Sequence, residues 1–346
     1  MNRISISARF LLVVGLAAGI PASSLFAKDT PPVAAQMSMA AQQFLASLSP
    51  EQKKKASFEF NDPHRTGWYF MPKQDKDGNY TRKGLPLEEM NDDQRKAALA
   101  LLRSGTSASG FEQTQAIIGY ESLLKEVEAK PVFARKPGWY FVSIFGTPGN
   151  TGKWGWRIEG HHMVASYTIN NGEVLSPTPM FFGSNPGIIK DGPKKGQVIL
   201  PGLQETAADL VKSFTDEQRK EAHSDMKQFP EIEENVGIVK LSEAKGIPAA
   251  KLTEAQQAIL WKLMDVYINR MPTAVGDAER KAIKAAGFDK VSFAYTGEPL
   301  NGYTFQIVGP TFHARLLNVQ PDGWGNPNNH IHSVWRRLPG DFGLEK

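Results

Sequence analysis

No cysteine occurs in the chain. That absence excludes a lipid anchor on cysteine, disulfides, thiolate metal ligation and thiol catalysis, so stability has to come from an ordinary hydrophobic core. Long apolar runs are missing as well. The stretch Phe10–Ile20 covers 11 residues, well short of the roughly 20 that a membrane-spanning helix needs, and no later run is long enough either. An excess of one charge is also lacking. The formal net charge is +4, too balanced to argue for nucleic acid, and short basic stretches such as Lys53-Lys54-Lys55 and Lys194-Lys195 lack interleaved aromatics and read as solvated faces.

The N-terminal run has the three parts of an export signal. Arg3 and Arg9 precede Phe10–Ile20, no acid accompanies them, and Pro21–Ala27 supplies small residues where a signal peptidase can cut. We therefore expect a signal peptide over 1–27, no membrane anchor after cleavage, and a periplasmic or secreted protein. Loss of Arg3 and Arg9 lowers the formal charge from +4 to +2. With 41% hydrophobic and 22% charged residues, the remainder can bury a core and is read as a single globular domain over 28–346.

Four sites carry the same helix-start signal. Ser49-Pro50-Glu51-Gln52, Asn91-Asp92-Asp93-Gln94, Thr215-Asp216-Glu217-Gln218 and Thr253-Glu254-Ala255-Gln256 each place a capping oxygen three residues before glutamine, which satisfies free backbone donors reciprocally. Each is read as one helix start, with no internal repeat inferred. Helices are predicted over 50–57, 92–103, 112–127, 204–213, 216–226 and 254–270, after a first mature helix around Met37–Leu45.

Strands are predicted at Trp139–Phe145, Trp154–Glu159, Met163–Asn170, Val198–Leu200, Val291–Tyr295, Tyr303–Val308, Phe312–Leu317 and Ile331–Arg336, all rich in aromatic and β-branched residues. Helical blocks (about 34–130 and 204–285) thus alternate with β-rich blocks (about 137–200 and 290–336). The fold class is α+β, with helical blocks packed on a mainly antiparallel sheet formed by central and C-terminal strands.

Four of the seven histidines fall in two tight pairs, His161-His162 and His330-Ile331-His332. In a strand His330 and His332 project to the same side and offer a two-nitrogen clamp of the kind used for zinc, copper or iron. Neighbouring His161 and His162 point to opposite faces of a regular strand, so one of them joins the clamp unless Gly160 bends the chain. Glu159 is a candidate ligand, orienting group or general base. Arg157 and Arg336, each near a histidine pair and next to a tryptophan, are candidate anion binders, with stacking on the indole as the alternative. A metal-free site and plain packing of these histidines stay open. His64, His223 and His313 stand alone and read as ordinary surface or core residues.

Other chemistry finds little support. Ser333 lacks the Gly-x-Ser-x-Gly elbow of a serine hydrolase. No phosphate-cradling glycine loop opens a helix, and Gly183-Ser184-Asn185-Pro186-Gly187 reads as a turn able to line a cavity. The polar and aromatic loop Asn61–Phe70 reads as a connector whose Trp68 caps the core, with a sugar or aromatic ligand as the alternative.

Several segments together resemble one bacterial family, catalogued as domain of unknown function 3500. They are the Phe60–Trp68 loop; Gly84-Leu85-Pro86-Leu87 with Met90 and Gln94-Arg95; Trp154-Gly155-Trp156-Arg157 with Glu159-Gly160-His161-His162; Phe181-Phe182-Gly183-Ser184-Asn185-Pro186; and Asn329-His330-Ile331-His332 with Val334-Trp335-Arg336 and Asp341-Phe342-Gly343. The resemblance supplies no reaction, but it supports reading both histidine motifs as parts of one site. Members of the family tend to carry an acid in the strand after Gly309-Pro310, where this chain has Phe312-His313-Ala314-Arg315-Leu316.

The combined expectation is an exported metal-dependent enzyme, a hydrolase or an oxidoreductase. In it His330, His332 and one of His161 or His162 hold a divalent transition metal (zinc, copper or iron), Glu159 assists, and Arg157 or Arg336 orients a small anionic substrate. The rivals are a non-catalytic periplasmic metal-binding protein and a metal-free ligand module.

Overall fold

The computed structural model describes residues 31–128, 131–241 and 246–345; the export signal expected over 1–27 lies outside them. The four glutamine caps form as read. Ser49, Asn91, Thr215 and Thr253 each accept from the backbone N–H of a glutamine whose side chain returns the bond, opening α2 (Pro50–Ala56), α3 (Asp92–Ser104), α6 (Asp216–Ala222) and α7 (Glu254–Ile268). Before them lie α1 (Val33–Ser47) and, in the second half, α5 (Leu203–Lys212). The helix expected from 112 begins earlier, as α4 (Ala108–Val127), because Ser107 caps it through the Gly110 N–H. A further helix, α8 (Thr273–Ala286), went unread.

The caps do more than open helices. Gln52 and Gln94 exchange side-chain hydrogen bonds at 3.0 and 2.8 Å, while Gln52 also donates to Glu89 O and Gln94 to Ser47 O. Gln218 and Gln256 repeat the arrangement at 3.0 and 2.8 Å, donating to Lys251 O and Ser213 O. The described residues therefore form two like units, whereas no internal repeat was inferred from the four helix starts. Each unit also has a glycine forced by close backbone approach. A Cβ at Gly84 (φ +103°) would lie 3.1 Å from Val142 O, and one at Gly246 (φ +69°) 2.3 Å from Phe293 O.

The sheet shows the same duplication. The first unit contributes β1 (Ser57–Phe58), β2 (Leu85–Pro86), β3 (Phe141–Phe145), β4 (Lys153–Gly160), β5 (Met163–Asn170), β6 (Glu173–Ser176) and β7 (Met180–Ser184). The second contributes β8 (Ile247–Pro248), β9 (Ser292–Glu298), β10 (Asn301–Val308), β11 (Phe312–Gln320) and β12 (His330–Arg337). The order is β1-β3-β4-β5-β7-β12-β11-β10-β9-β8, so each unit lays down antiparallel neighbours and the units meet at β7 and β12. Phe181 faces Val334 at that seam. Apart from the parallel β1–β3 pair, the strand pairs are antiparallel, as an α+β fold with a mainly antiparallel sheet requires.

Two strand readings are corrected. Val198–Leu200 forms no strand; Val198 makes one isolated bridge to Ile188. Gly183 and Ser184, read as part of a turn, end β7 in the middle of the sheet. Phe181, Phe182 and Gly183 show no polar alternation because both faces of a central strand are covered, and glycine obscures the signal further.

The helices pack on one face around the main apolar core, which includes Trp154, Trp156 and Trp335. The other face carries a smaller cluster of Val164, Phe181, Leu317 and Val334, covered by Trp68, Phe70, Ile232 and Phe342 from loop segments. Trp68 is fully buried there, as the core-capping reading of its loop expects.

Candidate functional site

The two histidine motifs meet. β4 and β5 are joined by the two-residue tip His161-His162, since Gly160 pairs with Met163, and His162 turns the corner at φ +62°. A left-handed histidine is uncommon and needs support. Here its N–H donates to Phe70 O at 3.0 Å and its carbonyl accepts from the Gly183 N–H at 2.7 Å. Gly183 leaves the space the ring needs, because a Cβ there would lie 3.0 Å from His162 Cγ and Cδ2.

His330 and His332 come from the start of β12, two residues apart on the same side. Their Nε2 atoms are 3.2 Å apart, and they lie 2.8 Å (His330) and 3.3 Å (His332) from His162 Nε2. Each Nε2 carries either a proton or a lone pair, so at least two of the three present the same thing to each other. One cation shared by three lone pairs removes the conflict. A point about 2.1 Å from every nitrogen, the usual zinc–imidazole distance, lies about 1 Å outside their plane and subtends angles of about 84°, 99° and 104°. Three close histidines that could bind a metal are thus in place.

The surroundings favour the neutral rings that ligation requires. Burial, then the neighbouring imidazoles, hold His162 well below the usual histidine range, and burial followed by His332 does the same for His330. His332 gives its Nδ1 side to Glu231 Oε1 at 3.0 Å. Burial alone would raise the Glu231 carboxyl, but its hydrogen bond to His332, with the Ile232 N–H and the Arg315 charge, outweighs burial and leaves it below the ordinary value. Phe70 stands edge-on to the His332 ring, with centroids 5.0 Å apart.

His161 takes a different part. Its ring stacks on His162 with centroids 3.8 Å apart, and its Nδ1 meets Glu121 Oε1 on α4 and Arg135 Nη1 at 3.3 Å. Arg135 in turn grips Glu128 through two 2.8 Å bonds. His161 thus braces the ring of His162 from α4, and it is not one of the three converging histidines.

Arg157, Glu159 and Arg336 hold the loops around the cluster. Arg157 is fully buried and donates to the carbonyls of His64, Arg65 and Gly67, with its Nε 3.1 Å from Glu159 Oε2. Glu159 Oε2 also accepts from the Tyr69 N–H at 2.9 Å. Together they pin the segment that brings Phe70 to His162 and His332. Arg336 pairs with Asp341 and donates to Val236 O, with its guanidinium 5.4 Å from the Trp68 ring centroid. The residues that sequence reasoning missed are Glu231, Glu121, Arg135, Phe70 and Gly183. Glu231 stands in the acidic run Glu231–Glu234, whose only signal was charge, and nothing local points it at a histidine over a hundred residues away.

The site draws His162 from the first unit and His330 and His332 from the second, and the second unit has no histidine at the tip that matches His162. Gly309 N–H bonds to Phe312 O, so Pro310-Thr311 forms the matching tip between β10 and β11 and puts threonine where the first unit has His162. No curated protein and no solved structure matches the chain. The family model described as protein of unknown function (DUF3500) matches residues 31–344, and the chain belongs to that family.

Proposed function

We propose that this is an exported metal-dependent enzyme in which His162, His330 and His332 hold a divalent transition metal. The observation that carries the reading is the convergence of three Nε2 atoms within 3.3 Å of one another. Three neutral imidazoles on one side of a metal leave further coordination positions open, the arrangement that lets zinc, copper or iron polarise a water or a substrate atom. Zinc there supports hydrolysis, and copper or iron supports oxidation. Glu231 orients His332, His161 braces His162, and Arg157 with Glu159 positions the Tyr69–Phe70 segment. Export rests on the three-part leader of residues 1–27.

Elemental analysis of purified protein, repeated on His330→Ala and His162→Ala, tests the reading. Close to one transition-metal ion per chain, lost in both variants, is expected; a metal-free native protein would refute it. A second reading, metal binding without turnover, draws on the burial of His162 and His332, which are 3% and 2% exposed. It requires the loaded protein to have a closed ligand sphere that added azide or cyanide does not perturb spectroscopically.

A further inference from the structure

A second constellation lies outside the histidine cluster. A cavity of about 280 Å³ is lined by His64, Tyr69, Lys73, Arg82, Lys83 and Glu159, among others. Three lining cations stand against one carboxylate, and the buried Arg157 guanidinium lies beside that carboxylate. The imbalance shows in His64, which burial and then Arg157, Lys83, Arg82 and Lys73 hold down to about 3. Glu159 is 1% exposed, and its Oε1 has no hydrogen bond; Arg82 Nη1 is 3.5 Å away. A buried carboxylate oxygen without a donor is costly, so the cavity combines an excess of positive charge with one acceptor that calls for an O–H or N–H.

We propose that this cavity is an oxyanion site that selects a phosphate group over sulfate. Inorganic phosphate keeps a P–O–H at neutral pH. That hydroxyl donates to Glu159 Oε1 while the remaining oxygens face Lys73, Arg82 and Lys83. Sulfate is fully ionised, has no proton to donate, and meets the same carboxylate with repulsion. The ligand is free inorganic phosphate, because a phosphate monoester is mostly the dianion at neutral pH and, like sulfate, offers no proton to Glu159 Oε1. The site goes beyond the metal reading and does not depend on it, although both share the Tyr69–Phe70 segment.

Isothermal titration of the full chain with sodium phosphate, glycerol 2-phosphate and sodium sulfate tests this, with the metal-site variant His330→Ala run in parallel so that phosphate on a metal ion is not mistaken for phosphate in the cavity. Saturable binding of inorganic phosphate is expected in both proteins, at least tenfold tighter than that of sulfate or glycerol 2-phosphate. Lys73→Gln and Lys83→Gln, on partly or fully exposed side chains, should each weaken phosphate about tenfold, the size of one charge-assisted contact, with metal content unchanged. Glu159→Gln, which replaces an acceptor oxygen by an amide, should abolish the preference over sulfate. Equal affinity for phosphate and sulfate in the native chain, native affinity in both lysine variants, or phosphate binding lost in His330→Ala would overturn the proposal.

Discussion

His332 Nδ1 lies 3.0 Å from Glu231 Oε1, and this contact decides which nitrogen of the ring faces the other histidines. An ionised carboxylate only accepts, so Nδ1 keeps the proton and Nε2 turns a lone pair toward His162 and His330. Glu231→Gln can present an amide N–H to Nδ1 and favour the opposite tautomer. Metal affinity, measured by competition with a chromogenic chelator, should fall 10- to 100-fold, the usual effect of removing a carboxylate behind a ligating histidine. Unchanged affinity would show that Glu231 does not set the tautomer.

Gly183→Ala tests the packing that seats His162. The new methyl would lie 3.0 Å from the imidazole and 2.9 Å from Ile331 O, and Ile331 belongs to the central strand β12. The ring should yield before the sheet does. We expect a stability loss of about 1–3 kcal/mol, typical of overpacking, together with weaker metal binding. Denaturant midpoint and metal content measured on one preparation check both effects.

Arg336 bonds to Asp341 and to Val236 O and to none of the three converging histidines. Its guanidinium is 2.6 Å from Asp341 Oδ2, and the two residues are 3% and 0% exposed. Asp341→Asn leaves a buried cation uncompensated, and unfolding free energy should drop by about 3–5 kcal/mol with metal stoichiometry unchanged. Loss of metal without loss of stability would place Arg336 in the site after all.

The alpha-plus-beta class was legible in sequence because the aromatic strands and the four glutamine caps are local signals. The convergence of His162 with His330 and His332 was half legible. His-x-His on a strand fixes two ligands by parity, but choosing His162 over His161 depended on a left-handed tip and on Gly183, neither of which leaves a spacing pattern. The duplication was not read from sequence, although Ser49–Ala56 and Thr215–Ala222 are alike, and became evident only with Gln52 bonded to Gln94 as Gln218 is to Gln256. Glu231 and Glu121 reach their histidines across long sequence separations, and such contacts are made by the tertiary fold alone.

Part of the acid stability should turn on His313, beside His64, His162 and His330, whose pKa values are also held low. It is 3% exposed, neither ring nitrogen has a hydrogen-bond partner, and burial followed by Arg315 and Arg336 lowers its pKa to about 3. Between about 6.5 and 3 the unfolded chain takes up a proton that the folded chain refuses, so stability falls as pH falls through that window. The loss attributable to this residue reaches about 2 kcal/mol at pH 5. His313→Leu should flatten that part of the profile in urea titrations run at pH 7 and pH 5. An equal slope in both proteins would assign the acid lability elsewhere.

X-ray absorption of the metal-loaded chain at the edge of its own metal tests the histidine centre most directly. Three imidazoles at about 2.0–2.1 Å, with their ring-scattering signature reduced by one in His332→Ala, is the expected result. A loaded metal whose spectrum lacks imidazole scattering, or is the same in native and His332→Ala protein, would contradict the account.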